Sequence, residues 1–342
     1  MSSLGINILV TGQLRTPALF RRSLADWVAL RDEGVLGRVV VATWKEDAER
    51  EPDLVRELHE QGCEVITAVP PPVRGIGHIW PQTLSLDLGL REFSSTDRVL
   101  KTRADLHIDA EFVRKLATDP GMHEITDQAA AFGVFGGRVW LPWFELTKPF
   151  YMADECFAGA AKDLARLINY DESYSVLYDI GCGVTHVRRF IHAFREPFGI
   201  FDRFLSRYAD AGHFSPERWQ RVEALLSDDG FLDVLASYYM VLAAFFRIEG
   251  GQGTITFRDW SSGVRSPGAG PMQTAFGPDQ SWSKDGGHLY SYDEQWLRTV
   301  LNGKLPQDAL AKRFVEAVER QKSVGLPLDP QVAPVVPSRM PA

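Results

Sequence analysis

Cysteine is scarce in this chain. Cys63, Cys156 and Cys182 are the only three in 342 residues, and they form no CxxC or Cys/His spacing. Neither a disulfide framework nor a structural zinc site is expected, and a reducing compartment fits best. A surplus of positive charge is also missing: 37 Lys and Arg against 45 Asp and Glu leave a formal charge of −8. That argues against a broad nucleic-acid surface. Long apolar runs are absent too. The best candidate, FLDVLASYYMVLAAFFRI at 231–248, carries Asp233 and Arg247. The stretch between them is too short to span a bilayer, so it reads as a buried helix. No basic segment followed by an apolar run opens the sequence, so no signal peptide is expected. A cytoplasmic protein follows, with peripheral contact at the inner membrane face left open.

What is present is an ordinary globular composition, 45% hydrophobic and 24% charged, with length for one large α/β domain or two smaller ones. Three apolar runs read as strands: INILVT at 6–11, VVVAT at 39–43 and 64–69, the last stopped by the prolines at 70–72. Between them lie helical patterns at 16–31, where Phe20, Leu24, Trp27 and Val28 share a face, and at 53–61, which Gly62 can end. A helix at 81–93 and a fourth strand within DRVLKTRADLHID at 97–109 continue the rhythm. Strand–helix alternation predicts a mostly parallel sheet with helices on both faces, an α/β fold.

Further along, 129–143 reads as a hairpin or two short strands around Gly136 and Gly137, and a helix is expected from about Ala158. A more helical C-terminal part follows, then Gly/Ser/Pro-rich loop at 250–287 and a last helix at 307–321. Three regions are expected: the strand–helix part at 1–175, a mostly helical part with Gly/Ser/Pro-rich loops at 176–324, and a Pro-rich tail at 325–342.

In parallel sheets ligands bind at the carboxyl ends of the strands. Gly12, Gln13 and Arg15 follow the first strand, Trp44 the second, and Arg103 and Asp105 the fourth. The segment TGQLRT at 11–16 is neither GxxxxGK nor GxGxxG, but Gly12 allows close backbone approach and the following helix start favours an anion. Lys101 and Arg103 share one face of their strand and suit a phosphate or a sugar carboxylate. Asp105 suits a hard cation such as Mg²⁺ or Mn²⁺ held against a diphosphate. Asp109 reads as the N-cap of the next helix. Asp154, in FYMADECFAG, is a carboxylate available to an acceptor hydroxyl.

The series ILVTGQLRT, VVVATW, PQTLSLDLGL with Gln82 and Ser85, VLKTRADL and FYMADECFAGAAKDL resembles the WavE-type lipopolysaccharide-synthesis glycosyltransferases across residues 5–170. The resemblance implies a GT-A-like nucleotide-sugar fold and transfer of a sugar to a glycan or lipid-linked glycan acceptor, in lipopolysaccharide or surface polysaccharide synthesis. Carried over residue by residue, Gly12, Gln13 and Arg15 line the nucleotide end, with Trp44, Gln82 and Ser85 nearby. Asp105 takes the place of the last acid of a DxD motif. The first acid is replaced by Arg103, so two versions stay open: a divalent cation on Asp105, or Arg103 and Lys101 neutralising the diphosphate themselves.

Two other readings compete. VLYDIGCGVT at 176–185 is similar to the glycine-rich first motif of S-adenosylmethionine-dependent methyltransferases, with Asp202 and GGQGTITF as its later elements. A non-catalytic glycan binder would use Trp260 and Trp282 for sugar stacking. His186, His192, His213 and His288 are assigned no role.

Overall fold

A computed structural model describes residues 5–15, 17–72, 78–142, 150, 152, 154–170, 184–195, 198–199, 201, 227–248, 255–259 and 263–265. Seven strands form its central sheet: β1 (Ile6–Thr11), β2 (Leu36–Trp44), β3 (Glu64–Ala68), β4 (Arg98–Arg103), β6 (Val139–Leu141), β7 (Phe157–Ala160) and β8 (Phe246–Ile248). Their order across the sheet is β3-β2-β1-β4-β7-β6-β8. β1, β2, β3 and β4 run parallel, whereas β7 is antiparallel to β4 and β6. The mostly parallel α/β sheet expected from the sequence is therefore present.

Both faces are covered, and strand parity decides which residue goes where. Ile8, Val10 and Leu100 face one way, onto Phe20, Leu24 and Trp27 of α1 (Pro17–Asp32), Leu54 and Leu58 of α3 (Pro52–Glu60), and Val113 and Leu116 of α5 (Ala110–Thr118). Leu9, Val99 and Phe157 face the other way. Against them lie Leu86 and Leu90 of α4 (Ile79–Leu90), together with two later helices, Val184–Arg195 and Asp229–Phe245. Phenylalanines tie this second layer down: Phe190 meets Phe157 at 6.0 Å and Phe246 at 6.0 Å, and Phe150 meets Phe201 at 4.6 Å. A short helix after β2, α2 (Lys45–Arg50), has no counterpart in the sequence expectations.

α4 crosses β1 closely at Gly89, where an added Cβ would overlap Leu9 Cδ1 and lie 3.0 Å from its Cδ2. Gly89→Ala gains helix propensity but overpacks a closed core. We expect a net loss of about 1–2 kcal/mol in urea denaturation, partly regained when Leu9→Val is added.

Several expectations are corrected. The segment at 97–109 is not one strand: β4 ends at Arg103, the chain turns through Ala104 and Asp105, and β5 (Leu106–Ile108) joins another sheet. Its partner β9 (Ile255–Asp259) pairs antiparallel with both β5 and β10 (Gly263–Arg265), inside a stretch read as loop. Of the hairpin or two short strands expected around Gly136 and Gly137, only the second strand, β6, forms. The N–H groups of the two glycines donate instead to the buried Asp163 carboxylate, at 2.8 and 3.1 Å, and α6 (Asp127–Ala130) takes the place of the first arm.

Phe157–Ala160 is strand rather than helix start, because pairing with β4 overrides the helix preference of its alanines. The helix that follows, α7 (Ala161–Ala165), is short. Asp109 does cap α5, accepting from the N–H groups of Glu111 and Phe112. The helix expected at 307–321, the tail at 325–342, and Cys182, Asp202, His213, Trp260, Trp282 and His288 lie outside the described residues. Among the described residues no helix is long and apolar enough to cross a membrane.

Candidate functional site

Strand order places the site before any side chain is considered. The chain goes outward from β1 through β2 to β3, then returns to add β4 on the other side of β1. The strand order reverses between β1 and β4, and open α/β sheets bind ligands beyond the carboxyl ends of the strands that flank such a reversal. The register is level there: Thr11 pairs with Ala42 on one side and Arg103 on the other. Gly12 is the next residue, with its N–H donating to Ala42 O at 3.0 Å. Its φ of +94° is one that side chains rarely adopt, and nothing lies within 4 Å of where a Cβ would stand. The turn thus requires glycine and leaves open space above it. Gln13 is exposed, Arg15 half-buried, and Trp44, at the end of β2, buried.

On the other side of the switch point, β4 delivers Lys101 and Arg103 to the face covered by α4. Arg103 donates through Nε and Nη2 to the two carboxylate oxygens of Asp105, at 2.7 and 2.6 Å. The Asp105 side chain is 7% exposed and that of Arg103 31%. Burial would lower the Arg103 pKa, but the Asp105 carboxylate outweighs it and holds the guanidinium above its ordinary value.

Lys101 lies beneath the rim rather than on it, 3% exposed. Its Nζ donates to the backbone carbonyls of Asp154 (2.5 Å) and Glu155 (3.0 Å) and sits 5.2 Å from the centroid of the Phe157 ring. Burial pushes its pKa down to about 7. The charges of Arg189 and Arg103 add to that, while Asp154 opposes it. Lys101 is therefore a clamp on the segment entering β7, and the carbonyls it holds keep the buried Asp154 in place. The neighbouring Cys156 thiol is pushed far up by burial, which makes it an inert packing group rather than a nucleophile.

α4 brings Gln82 and Ser85 to the same side. Ser85 is buried and donates to Gln82 O at 3.2 Å. Gln82 is half-buried, and its Oε1 lies 3.5 Å from Nη2 of Arg189. Arg189 was not among the residues singled out from the sequence. It lies within the buried arc of the helix Val184–Arg195, beside Phe190, and is 1% exposed. Burial lowers its pKa, with Asp154 opposing.

The side chains present do not fit a divalent cation as they are placed. Both oxygens of Asp105 are occupied by Arg103. Among the described residues, no group of three His, Cys, Asp or Glu is positioned to hold a metal.

No family model and no curated protein matches the chain. Among solved structures it is similar to an active-site mutant of LgtC (15% identity, TM-score 0.31), covering 47% of this chain and 59% of that one. The galactosyltransferase LgtC with donor and acceptor sugar analogs matches at 11% identity and TM-score 0.38, over 90% of this chain and 100% of that one. A mannosyltransferase from Pyrobaculum calidifontis, in complex with GDP-Man and Mn²⁺, matches at 16% and 0.32, over 70% and 75%. The matched region thus spans under two thirds of the first of these chains. TM-scores this low leave the α/β class resting on the sheet itself.

Proposed function

We propose that the chain is a nucleotide-sugar-dependent glycosyltransferase whose donor lies beyond the carboxyl ends of β1 and β4. One observation carries this reading. The glycine turn after β1, the Arg103–Asp105 pair after β4 and the Lys101-held Asp154 segment come together at one end of the sheet. Transfer needs charge stabilisation for a departing diphosphate and a group to take the acceptor's proton. In this reading Arg103 supplies positive charge, fixed in place by Asp105, with its Nη1 outside the ion pair. Gly12, Gln13 and Arg15 line the nucleotide end, and Trp44 and Ser85 shape the walls.

Asp154 accepts the proton of the acceptor hydroxyl as its oxygen bonds to the anomeric carbon and the bond to the diphosphate breaks. The resemblance across residues 5–170 supports a glycan or lipid-linked glycan acceptor and a place in lipopolysaccharide or surface polysaccharide synthesis, carried out at or near the inner membrane face.

The methyltransferase alternative loses one of its supports. Ile255–Asp259 belongs to the small antiparallel sheet, not to the parallel one where a late strand of that fold would lie. Its glycine motif at 181–183 lies outside the described residues.

Incubation with UDP-, GDP- and CDP-sugars, with released nucleotide as the readout, tests the proposal. One donor class should be turned over, and Asp154→Asn should cut the rate by about 10²-fold or more while leaving donor binding in place. Stabilisation by S-adenosylhomocysteine and by none of the nucleotides would overturn it.

A further inference from the structure

Among the described residues of this site, Arg189 is the buried cation that protein atoms do not satisfy. Its Nε and Nη1 have no hydrogen-bond partner, and its Nη2 reaches Gln82 Oε1 at the limiting distance of 3.5 Å. Asp154 is near enough to attract it, yet neither Nε nor Nη1 bonds to that carboxylate. Arg103 and Lys101 are differently placed: the one is engaged by both oxygens of Asp105 and the other by two carbonyls.

Buried guanidinium groups are otherwise paired, because an ionised group taken from water without partners is strongly unfavourable. Nor is Arg189 adrift. Phe190, the next residue, packs on Phe157, and the Lys101 Nζ lies over that same ring. The helix is thereby held against the sheet, with the arginine beside Lys101 and Gln82.

We infer that Arg189, steadied by Gln82, binds an oxyanion of the donor, a phosphoryl or a sugar carboxylate oxygen. The inference rests on the glycosyltransferase reading only for the identity of the ligand. The idle N–H groups call for an acceptor, and an anion that meets them is held away from the screening of bulk water. Arg189 is then a substrate-binding residue beneath the rim, and the pair Arg103–Asp105 is part of the frame around it.

Thermal unfolding of the full chain tests this, with inorganic pyrophosphate, UDP, GDP, CDP, UDP-glucose and UDP-glucuronate as probes on the wild type, Arg189→Met and Arg189→Lys. Without ligand, Arg189→Met should unfold at the same or a higher temperature, since it removes an unsatisfied buried charge. It should also weaken binding of the stabilising anion by at least about 30-fold, with Arg189→Lys keeping part of the affinity. Pyrophosphate and a nucleoside diphosphate raising the wild-type midpoint would identify a phosphoryl contact. A rise with UDP-glucuronate well beyond UDP-glucose, lost in Arg189→Met, would identify a carboxylate. Stabilisation by pyrophosphate and by no nucleotide would keep the anion site and remove the nucleotide-sugar reading. The inference is overturned if no anion stabilises the wild type. It is equally overturned if Arg189→Met and Arg189→Lys both unfold well below the wild type with the ligand response intact.

Discussion

Replacing Lys101 by methionine should destabilise the protein by an amount that grows with pH. Two effects oppose each other. Methionine fills similar volume but donates nothing, so the carbonyls of Asp154 and Glu155 lose their partner, at about 1–3 kcal/mol for each carbonyl left unsatisfied. Against this, the substitution removes a buried ammonium whose pKa burial has driven down to about 7. At pH 6 the native lysine is charged and that penalty is fully present, so the two terms largely cancel.

Between pH 7 and the unfolded lysine value of about 10.4, the unfolded state keeps a proton that the folded state has lost. Wild-type stability therefore rises with pH across that window, by up to about 1.4 kcal/mol per unit. The neutral amine still has two N–H groups, enough for both carbonyls. Methionine has no such term. Guanidinium denaturation at pH 6 and pH 9 should thus show the wild-type advantage widening by about 3 kcal/mol. Parallel pH profiles would show that Lys101 is not the buried clamp described. Activity should fall about 10²-fold at any pH, because a small displacement of the Asp154 segment misplaces the proposed proton acceptor.

Much of this fold was legible where the chain is locally consistent. β1 and β3 are runs stopped by glycine and proline, β2 is an apolar run that ends at a string of charges, and α1 carries its inward residues at helical spacing, so each of these announces itself. Asp109 was likewise legible as a cap, since the signal is a single residue type at a helix start. β7 was not: Phe157-Ala158-Gly159-Ala160 has the composition of a helix start, and only the edge offered by β4 makes it a strand. The pairing of β5 with β9 joins residues some 150 positions apart, and no local pattern encodes it.

The site divides along the same line. Lys101, Arg103, Asp105 and Asp154 stand out because charges beside a buried strand are unusual. Arg189 hides in VRRFIHAFR, where two arginines read as the solvated face of an amphipathic helix. The clue was the width of the apolar arc: with positions 190, 191, 193 and 194 all buried, position 189 has no room to face water. The partner choices, Arg103 to Asp105 and Lys101 to backbone, are tertiary facts that no spacing fixes.

Arg103→Met should turn the protein into a cation binder. In the wild type both oxygens of Asp105 face the Arg103 guanidinium, so a divalent ion would have to displace a charge-assisted bidentate contact before binding a single carboxylate. Millimolar Mn²⁺ or EDTA should therefore leave the wild-type midpoint and activity unchanged. Without the arginine, Asp105 is a nearly buried carboxylate with no counter-ion. The variant should lose about 2 kcal/mol, below the 3–5 typical of a fully buried pair because Arg103 is a third exposed, and added Mn²⁺ should recover part of that loss.

Asp105→Ala should be at least as destabilising, since it strands the guanidinium, and should not respond to Mn²⁺. The double variant Arg103→Met/Asp105→Leu should be more stable than either single one, giving a coupling of about 2 kcal/mol in the double-mutant cycle. The outcome that contradicts the assignment is specific. If wild-type turnover stops in EDTA and returns with Mn²⁺, Asp105 exchanges its arginine for a metal during the reaction, and the ion pair describes a resting arrangement rather than the working one.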